Sequence, residues 1–259
     1  MSKTTSQQLD TVRYPIQMVE LETRTVCNRR CSYCPNHDHR RHDVEMPEPL
    51  FEEILRQLSD LDFAGRMSFH FYNEPLLDVR LERFVEMARD VLPKVRRVLY
   101  SNGDLLTRAR FEALVAAGID VLWVTNHGSS AAHCRWRHDL PEDLRRHLRY
   151  QSKDDPSIFW TNRGGLLAHV AQIDAPLRTP CTAIATSLVV DARGHVVLCY
   201  EDYEGRVTLG NLHRDTIADV WNSPRARMLR RHLLEGDRTC TAPCRACNNV
   251  EMQTLDVID

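Results

Sequence analysis

Short apolar runs alternate with amphipathic stretches along the first half of the chain. The pattern predicts strands over residues 18–22, 67–71, 95–100 and 121–125, and helices over residues 49–61, 80–92 and 107–117. Leu50, Ile54 and Leu58 recur at the spacing of one helical face, and Pro93 and Gly118 follow the later helices, where they end them. Strands that alternate with helices are typical of an α/β fold with a parallel sheet or barrel.

The second half of the chain does not continue this alternation of strands and helices. Residues 128–156 are polar and charged, and their pattern favours neither a helix nor a strand. Three elements are predicted beyond them, in chain order: a strand over 157–161 that ends in the turn Asn162-Arg163-Gly164-Gly165, a β-hairpin of 186–190 and 195–200, and a helix over 216–234 interrupted near Pro224.

Polar motifs follow the first three predicted strands. A loop with three cysteines comes after the first strand, Asn73-Glu74-Pro75 after the second, and Ser101-Asn102-Gly103 after the third. The carboxyl ends of parallel strands meet at one edge of a sheet or barrel, which is where such folds place their sites. We therefore expect these three motifs to lie close together.

Composition narrows the class of protein. The 259 residues suit one large domain or one and a half, and 42% of them are hydrophobic, which is enough for a real core. The formal net charge of −2 implies no field for nucleic acid. We expect no membrane span, since no run of about 18 apolar residues occurs. Nine cysteines without a secretory signal favour metal ligation in the cytoplasm over disulfides.

The first cysteine group is Cys27, Cys31 and Cys34, called the cysteine triad below. Its C-x3-C-x2-C spacing lets three thiolates close on three corners of a cubane iron–sulfur cluster, which leaves one iron free to bind something else. The alternative is a zinc knuckle completed by His37, His39 or His42.

The triad and the strand-end motifs resemble the signature of the radical S-adenosylmethionine (SAM) enzymes. The resemblance implies that the triad holds a [4Fe–4S] cluster and that SAM binds its free iron. It places Tyr33 near the adenine, and Asn73 and Glu74 at the SAM amino group, although only the Glu-Pro half of the family's glycine-rich motif is present. It places Ser101 and Asn102 at the ribose or carboxylate.

Five cysteines remain in the last third of the chain. Four of them, Cys181, Cys199, Cys244 and Cys247, would fully ligate a second [4Fe–4S] cluster, which leaves Cys240 spare. Their order resembles the SPASM/twitch extension of radical SAM enzymes. A four-cysteine zinc site has compatible spacing and is the alternative.

The resemblance also implies a domain layout. It comprises a flexible segment over residues 1–14, a partial (β/α) barrel over residues 15–170, and a small hairpin-and-helix domain over residues 171–259.

The cysteine layout and Asn162-Arg163 look most like the aminocyclitol dehydrogenases of aminoglycoside (butirosin) biosynthesis. That resemblance implies oxidation of a secondary alcohol to a ketone, with the electron passed to the second cluster and a donor such as flavodoxin or ferredoxin starting the reaction. It places Arg163, Tyr200 and Glu201 at the substrate. The alternatives are an epimerase with Cys240 as hydrogen-atom donor, a peptide-modifying radical enzyme, and a non-catalytic zinc protein.

Overall fold

The computed structural model describes residues 14–128, 130, 132–167 and 169–251. The segment predicted to be flexible lies outside these residues apart from Tyr14. Within the described residues the strands form one mixed sheet of eight, with the order β5-β4-β3-β2-β1-β6-β7-β8. The strands are β1 (Met18–Leu21), β2 (Arg66–Ser68), β3 (Arg96–Ser101), β4 (Val121–Asn126), β5 (Leu148–Ser152), β6 (Ser187–Val190), β7 (His195–Val197) and β8 (Thr208–Asn211).

Helices connect and cover these strands. They are α1 (Glu48–Asp60), α2 (Leu81–Val91), α3 (Arg108–Ala117), α4 (Glu142–Arg145), α5 (Ala183–Thr186), α6 (Ile217–Trp221), α7 (Pro224–Leu234) and α8 (Ala242–Ala246). Short 3-10 turns occur at Pro35–His37, Pro75–Leu77, Arg135–Asp139 and Arg238–Cys240. Within the described residues, none of the helices has the length and apolarity needed to cross a bilayer.

The three long helices predicted in the first half are confirmed to within one residue at each end. Capping residues explain where α3 begins and ends. The Thr107 hydroxyl accepts from the Arg110 amide at 3.1 Å, and Gly118 ends the helix at a φ of 118°. The predicted interruption near Pro224 is also confirmed. Ser223 caps α7 by accepting from the Ala226 amide, and a proline fits the first helical position.

The first five strands are parallel and carry the main core. Neighbouring strands from β1 to β5 pair in parallel register. The rings of Phe51 in α1 and Phe84 in α2 stack with centroids 4.3 Å apart, and both side chains are fully buried, as is Phe111 in α3. Helices packed on parallel strands form the expected partial (β/α) barrel.

The C-terminal hairpin extends this sheet. Strand β6 pairs in parallel with β1, from Met18 opposite Ser187 to Leu21 opposite Val190, and β7 returns antiparallel to β6. The Asp191 carboxylate closes the turn by accepting from the amides of Arg193 and His195, each at 2.9 Å. The predicted hairpin is therefore confirmed, and it hydrogen-bonds directly to the first barrel strand.

One prediction about the middle of the chain is wrong. Residues 157–161 form no strand, and Trp160 in this run lies at the carboxyl end of the sheet. The polar stretch 128–156, which the sequence pattern left unassigned, contains α4 and β5. Strand β5 has the sequence Leu-Arg-Tyr-Gln-Ser and no fully buried side chain, so hydrophobicity gave no signal. The second strand also ends early, at Ser68.

A buried ion pair fixes the loop that contains the cysteine triad. The Glu22 carboxylate is fully buried just after β1 and accepts both guanidinium N–H groups of Arg41, at 2.6 and 2.9 Å. It also accepts from the amides of Tyr72 and Ala192 at 3.3 and 3.4 Å. Arg41 in turn lies over the Tyr203 ring at 4.6 Å. One carboxylate thus ties together the cysteine loop, the turn after β2 and the C-terminal hairpin.

Substitution Glu22→Gln would leave the Arg41 guanidinium buried without a countercharge. We expect the free energy of unfolding in urea to fall by about 3 kcal/mol. The matched control is Glu112→Gln at the exposed Arg108–Glu112 pair of α3, which should cost less than about 1 kcal/mol. Equal losses in the two variants would contradict the importance assigned to Glu22.

Candidate active site

The cysteine triad lines a cavity at the carboxyl end of the parallel strands, called the first cavity. The loop is held by its own backbone, because the Cys34 amide donates to the Cys31 carbonyl at 2.9 Å and the Arg29 amide donates to the Cys27 sulfur at 3.4 Å. Burial raises the pKa of the free Cys27 thiol to about 11. A metal must therefore displace the thiol proton when it binds.

The histidines that could complete a zinc knuckle lie elsewhere on the loop. His37 is hydrogen-bonded to Asp38 at 2.7 Å, and His39 lies 3.3 Å from the Glu204 carboxylate. Neither residue is among those that line the first cavity with the triad, and the same holds for His42. None of the three histidines expected to complete a zinc knuckle therefore lines the cavity with the triad.

The structure brings the two other strand-end motifs to the same cavity. The Glu74 carboxylate accepts from the Ser101 hydroxyl at 2.7 Å, from the Asn102 amide at 2.7 Å and from the Leu76 amide at 3.1 Å. Burial raises the pKa of this carboxyl, and the three donors oppose that effect. Asn73 has a buried side-chain N–H group with no hydrogen-bond partner among the described residues. These groups suit a ligand with both an ammonium and an acceptor.

Aromatic rings form another wall of the first cavity. The centroids of the Tyr33 and Trp160 rings are 4.1 Å apart, and the Tyr33 hydroxyl is hydrogen-bonded to His127 at 2.7 Å. Burial, assisted by the charge of Arg29, lowers the pKa of His127 to about 4, so its imidazole is neutral at pH 7. Neutral, flat surfaces of this kind fit a purine ring. Trp160 lies in the segment that sequence reasoning assigned to a strand.

Arg163 and Tyr200 line the same cavity. The guanidinium of Arg163 lies over the Tyr72 ring at 5.6 Å, and the Tyr72 hydroxyl donates to the Tyr200 carbonyl at 2.6 Å. The Nε atom of Arg163 is buried and has no hydrogen-bond partner among the described residues. The Arg163 side chain as a whole is 22% exposed and lines the cavity, so its permanent positive charge is suited to bind a hydroxyl or alkoxide oxygen there.

Sequence reasoning gave no role at this cavity to several of its polar side chains, among them Glu20, His70 and Tyr100. Burial raises the pKa of Glu20 to about 7, against the opposing charges of Arg66 and Arg163. Burial also lowers the pKa of His70 to about 3, so that ring is neutral. The signal available in the sequence was a glutamate inside the short apolar strand β1, since a charge there must face a cavity or a partner.

The second cysteine set consists of Cys181, Cys199, Cys244 and Cys247, and these four residues line one further cavity. Burial raises the pKa of Cys244 and of Cys247 to about 12, so these thiols also need a metal to become thiolates. Cys240 is half-buried beside this group but is not among the residues that line the cavity. Four sulfur donors around one cavity fit a fully ligated cluster.

The predicted pair Tyr200 and Glu201 connects the two cavities. Tyr200 lines both of them, whereas Glu201 lines only the second. The Glu201 carboxylate accepts from the Thr161 hydroxyl at 2.8 Å and from the Asn249 side chain at 2.9 Å, and it lies 3.5 Å from the Arg163 guanidinium. This geometry supports a role for Glu201 in holding Arg163. The individual roles of all these side chains stay predictions.

Comparisons with known proteins agree with this geometry. Residues 21–156 match the model of the Radical SAM superfamily, and residues 181–248 match that of SPASM, an iron–sulfur cluster-binding domain. The chain is 36% identical over 244 residues to the S-adenosyl-L-methionine-dependent 2-deoxy-scyllo-inosamine dehydrogenase of Niallia circulans, which covers 93% of this chain and 96% of that protein.

Solved structures give the same relationship. BtrN in complex with AdoMet and 2-DOIA superposes with a TM-score of 0.85 at 36% identity, covering 93% of this chain and 96% of BtrN. An open conformation of BtrN superposes with a TM-score of 0.74 at 32% identity, and the match covers 94% of this chain and 98% of BtrN. The structure of anSMEcpe with AdoMet superposes with a TM-score of 0.58 at 14% identity, and the match covers 94% of this chain and 92% of anSMEcpe. At this identity the match shows a shared fold alone.

These matches confirm the resemblance seen in the sequence, and the cofactors are SAM and two [4Fe–4S] clusters. The radical SAM model matches just over half of the chain, and the dehydrogenase relative is similar along nearly all of it. The chain therefore belongs to the radical SAM superfamily and carries a C-terminal SPASM domain.

Proposed function

We propose that this enzyme oxidises a secondary alcohol of an aminocyclitol, or of a related amino sugar, to a ketone. The observation that carries the proposal is the arrangement of the two cavities. The first is lined by the cysteine triad and by Arg163, and it shares Tyr200 with the second, which is lined by four cysteines. Near full-length similarity to a dehydrogenase of an aminocyclitol supports this reaction over epimerisation.

The first cavity provides separate positions for the parts of SAM. The triad would hold the cluster, and the Glu74 carboxylate would bind the amino group. Beside it, the free side-chain N–H of Asn73 would donate to an acceptor of SAM. Ser101 and Asn102 would contact the ribose or carboxylate, and Tyr33 with Trp160 would pack on the adenine. When bound, SAM and its cluster supply a radical that removes hydrogen from carbon, and the SPASM cluster supplies an electron acceptor. The protein contributes placement and the exclusion of water.

Charged groups define where an amino alcohol would bind. Glu20 carries a carboxylate on the floor of the first cavity and can pair with a substrate ammonium. The Arg163 guanidinium can donate to the hydroxyl under oxidation, which orients that oxygen and favours loss of its proton. The Glu201 carboxylate lies 3.5 Å from the same guanidinium and can hold it in place. The substrate is thus held at two points, with the carbinol directed toward Arg163.

Three further assignments complete the proposal. A reduced flavodoxin or ferredoxin in the cytoplasm would supply the electron that starts the reaction. The second cluster would be ligated by Cys181, Cys199, Cys244 and Cys247. The barrel would extend over residues 15–170 and the auxiliary domain over residues 171–259, even though β1 and β6 join them in one sheet.

Substitution Arg163→Gln should separate the two halves of the reaction. We expect the ketone to form about 100-fold more slowly, because a donor to the developing alkoxide is lost. SAM cleavage to 5′-deoxyadenosine should continue, since the substitution leaves the triad, Glu74 and Tyr33 in place. Both products can be quantified by mass spectrometry, with Arg163→Lys as the charge-retaining comparison. Unchanged ketone formation in Arg163→Gln would remove this residue from the mechanism.

Substitution Cys240→Ala tests the spare cysteine. Because Cys240 does not line either described cavity, we expect unchanged iron content and unchanged ketone formation. Cys244→Ala is the matched control and should lose about half of the iron, because it removes a ligand of one of two similar clusters. Loss of product in Cys240→Ala, with 5′-deoxyadenosine still formed, would favour the epimerase alternative.

Substrate binding should depend on pH near the pKa of Glu20, which burial raises to about 7. Below this pH the carboxyl gains a proton and can no longer pair with an ammonium. We therefore expect KM to rise about tenfold per unit as pH falls from 7 to 5, while kcat changes less. In Glu20→Gln, KM should be high and flat over that range. A pH-dependence that survives in Glu20→Gln would assign the titration to another group.

A further inference from the structure

Arg238 is a buried cation at the wall of the second cavity. Its side chain is 2% exposed and lines that cavity together with the four cysteines of the second set. The guanidinium donates to the Thr179 carbonyl at 3.0 Å and to the Pro180 carbonyl at 3.1 Å. Both acceptors are neutral main-chain oxygens, so these hydrogen bonds orient the charge without cancelling it.

No described carboxylate forms a salt bridge with Arg238. The other charged residue on the cavity wall, Glu201, is bound by Thr161 and Asn249 and pairs with Arg163. A buried cation without a countercharge is strongly disfavoured. A negative group in the second cavity would supply the missing countercharge, and a cubane held by four thiolates is such a group, with a net charge of −2 when oxidised and −3 when reduced.

The position of Arg238 is fixed by close packing behind it. Gly236 has a φ of +82°, and a Cβ built there would lie 2.6 Å from the carbonyl oxygen of Arg178. The Cys181 amide donates to the Leu233 carbonyl at 2.8 Å on the same side. The segment before Cys181 and the segment before Arg238 are therefore packed against each other, which holds the guanidinium beside the cavity.

Arg230 shows how this chain treats a buried arginine that lines none of the described cavities. It is also 2% exposed and also donates to main-chain carbonyls, those of Ile184 and Trp221. Its guanidinium, however, lies over the rings of Tyr14 and Trp221, at 5.2 and 4.8 Å. Aromatic faces stabilise that cation locally. Arg238 has no such ring contact among the described residues, which leaves the contents of the cavity as its partner.

We propose that Arg238 is the countercharge of the auxiliary cluster and raises its reduction potential. A fixed positive charge stabilises the reduced cluster, which is more negative, more than it stabilises the oxidised one. In the proposed reaction the substrate radical, after loss of its hydroxyl proton, gives up one electron to become the ketone, and the cluster gains that electron. The inference rests on the ligand set and the reaction proposed above.

The test is the midpoint potential of the auxiliary cluster, followed by electron paramagnetic resonance during a redox titration. The full chain with Cys27, Cys31 and Cys34 replaced by alanine contains this cluster alone. In that background Arg238→Gln should lower the one-electron equilibrium constant for reduction about tenfold, a shift of ~59 mV to a more negative potential. Arg238→Lys keeps the charge and should shift the potential much less. Arg230→Gln, the matched buried arginine, should leave the potential unchanged.

The iron content of each variant shows whether the auxiliary cluster is still bound, which decides how a changed or missing signal is interpreted. Loss of the cluster in Arg238→Gln with retention in Arg238→Lys would support the countercharge. An unchanged potential in a fully loaded Arg238→Gln protein would overturn it, and so would loss of the cluster in both Arg238 variants. Absence of any cluster in the triad-less parent would overturn the proposed ligand set, and this inference with it.

Discussion

The parallel pairing of β1 with β6 is the constraint on which the rest of the structure depends. Strand β1 leads into the cysteine triad and carries Glu20, and β6 opens the hairpin that leads to Cys199. Because the two strands run in the same direction, their carboxyl ends face the same side of the sheet. The two cavities therefore lie next to each other, with Tyr200 in the wall of both. A substrate between them can be activated from one side and oxidised from the other.

The buried charges of this molecule fall into two groups, those that stabilise the fold and those that line a cavity. Where a charge holds the fold together, it is neutralised within the protein, as Glu22 is by Arg41 and by two amides. Where a charge lines a cavity, its pairing within the protein is weaker. Arg163 lies 3.5 Å from Glu201, and Arg238 donates to neutral carbonyl groups. A weakly paired buried charge is costly in the absence of a ligand, so these two side chains are candidates to meet one.

Much of the site could be predicted from the sequence because its chemistry is local. The triad lies within eight residues, and Glu74, Ser101 and Asn102 follow strands whose apolar pattern is clear. The contributions of His70, Tyr100 and Arg238 could not be predicted. Each comes from a residue whose role depends on which way a short strand or turn faces, and that is decided by tertiary packing. Strand β5 and the coil through Trp160 were missed for the same reason, since sheet pairing overrode the local hydrophobic pattern.

In the proposed reaction a radical made at the triad removes hydrogen from a carbinol carbon, which then becomes a ketone. An aminocyclitol deuterated at that carbon, incubated anaerobically with the reconstituted enzyme, SAM and a reductant, tests this step. We expect one deuterium in 5′-deoxyadenosine and a product that has lost the carbinol deuterium and the hydroxyl proton. Unlabelled 5′-deoxyadenosine, or a product that still has both hydrogens of the alcohol, would contradict it.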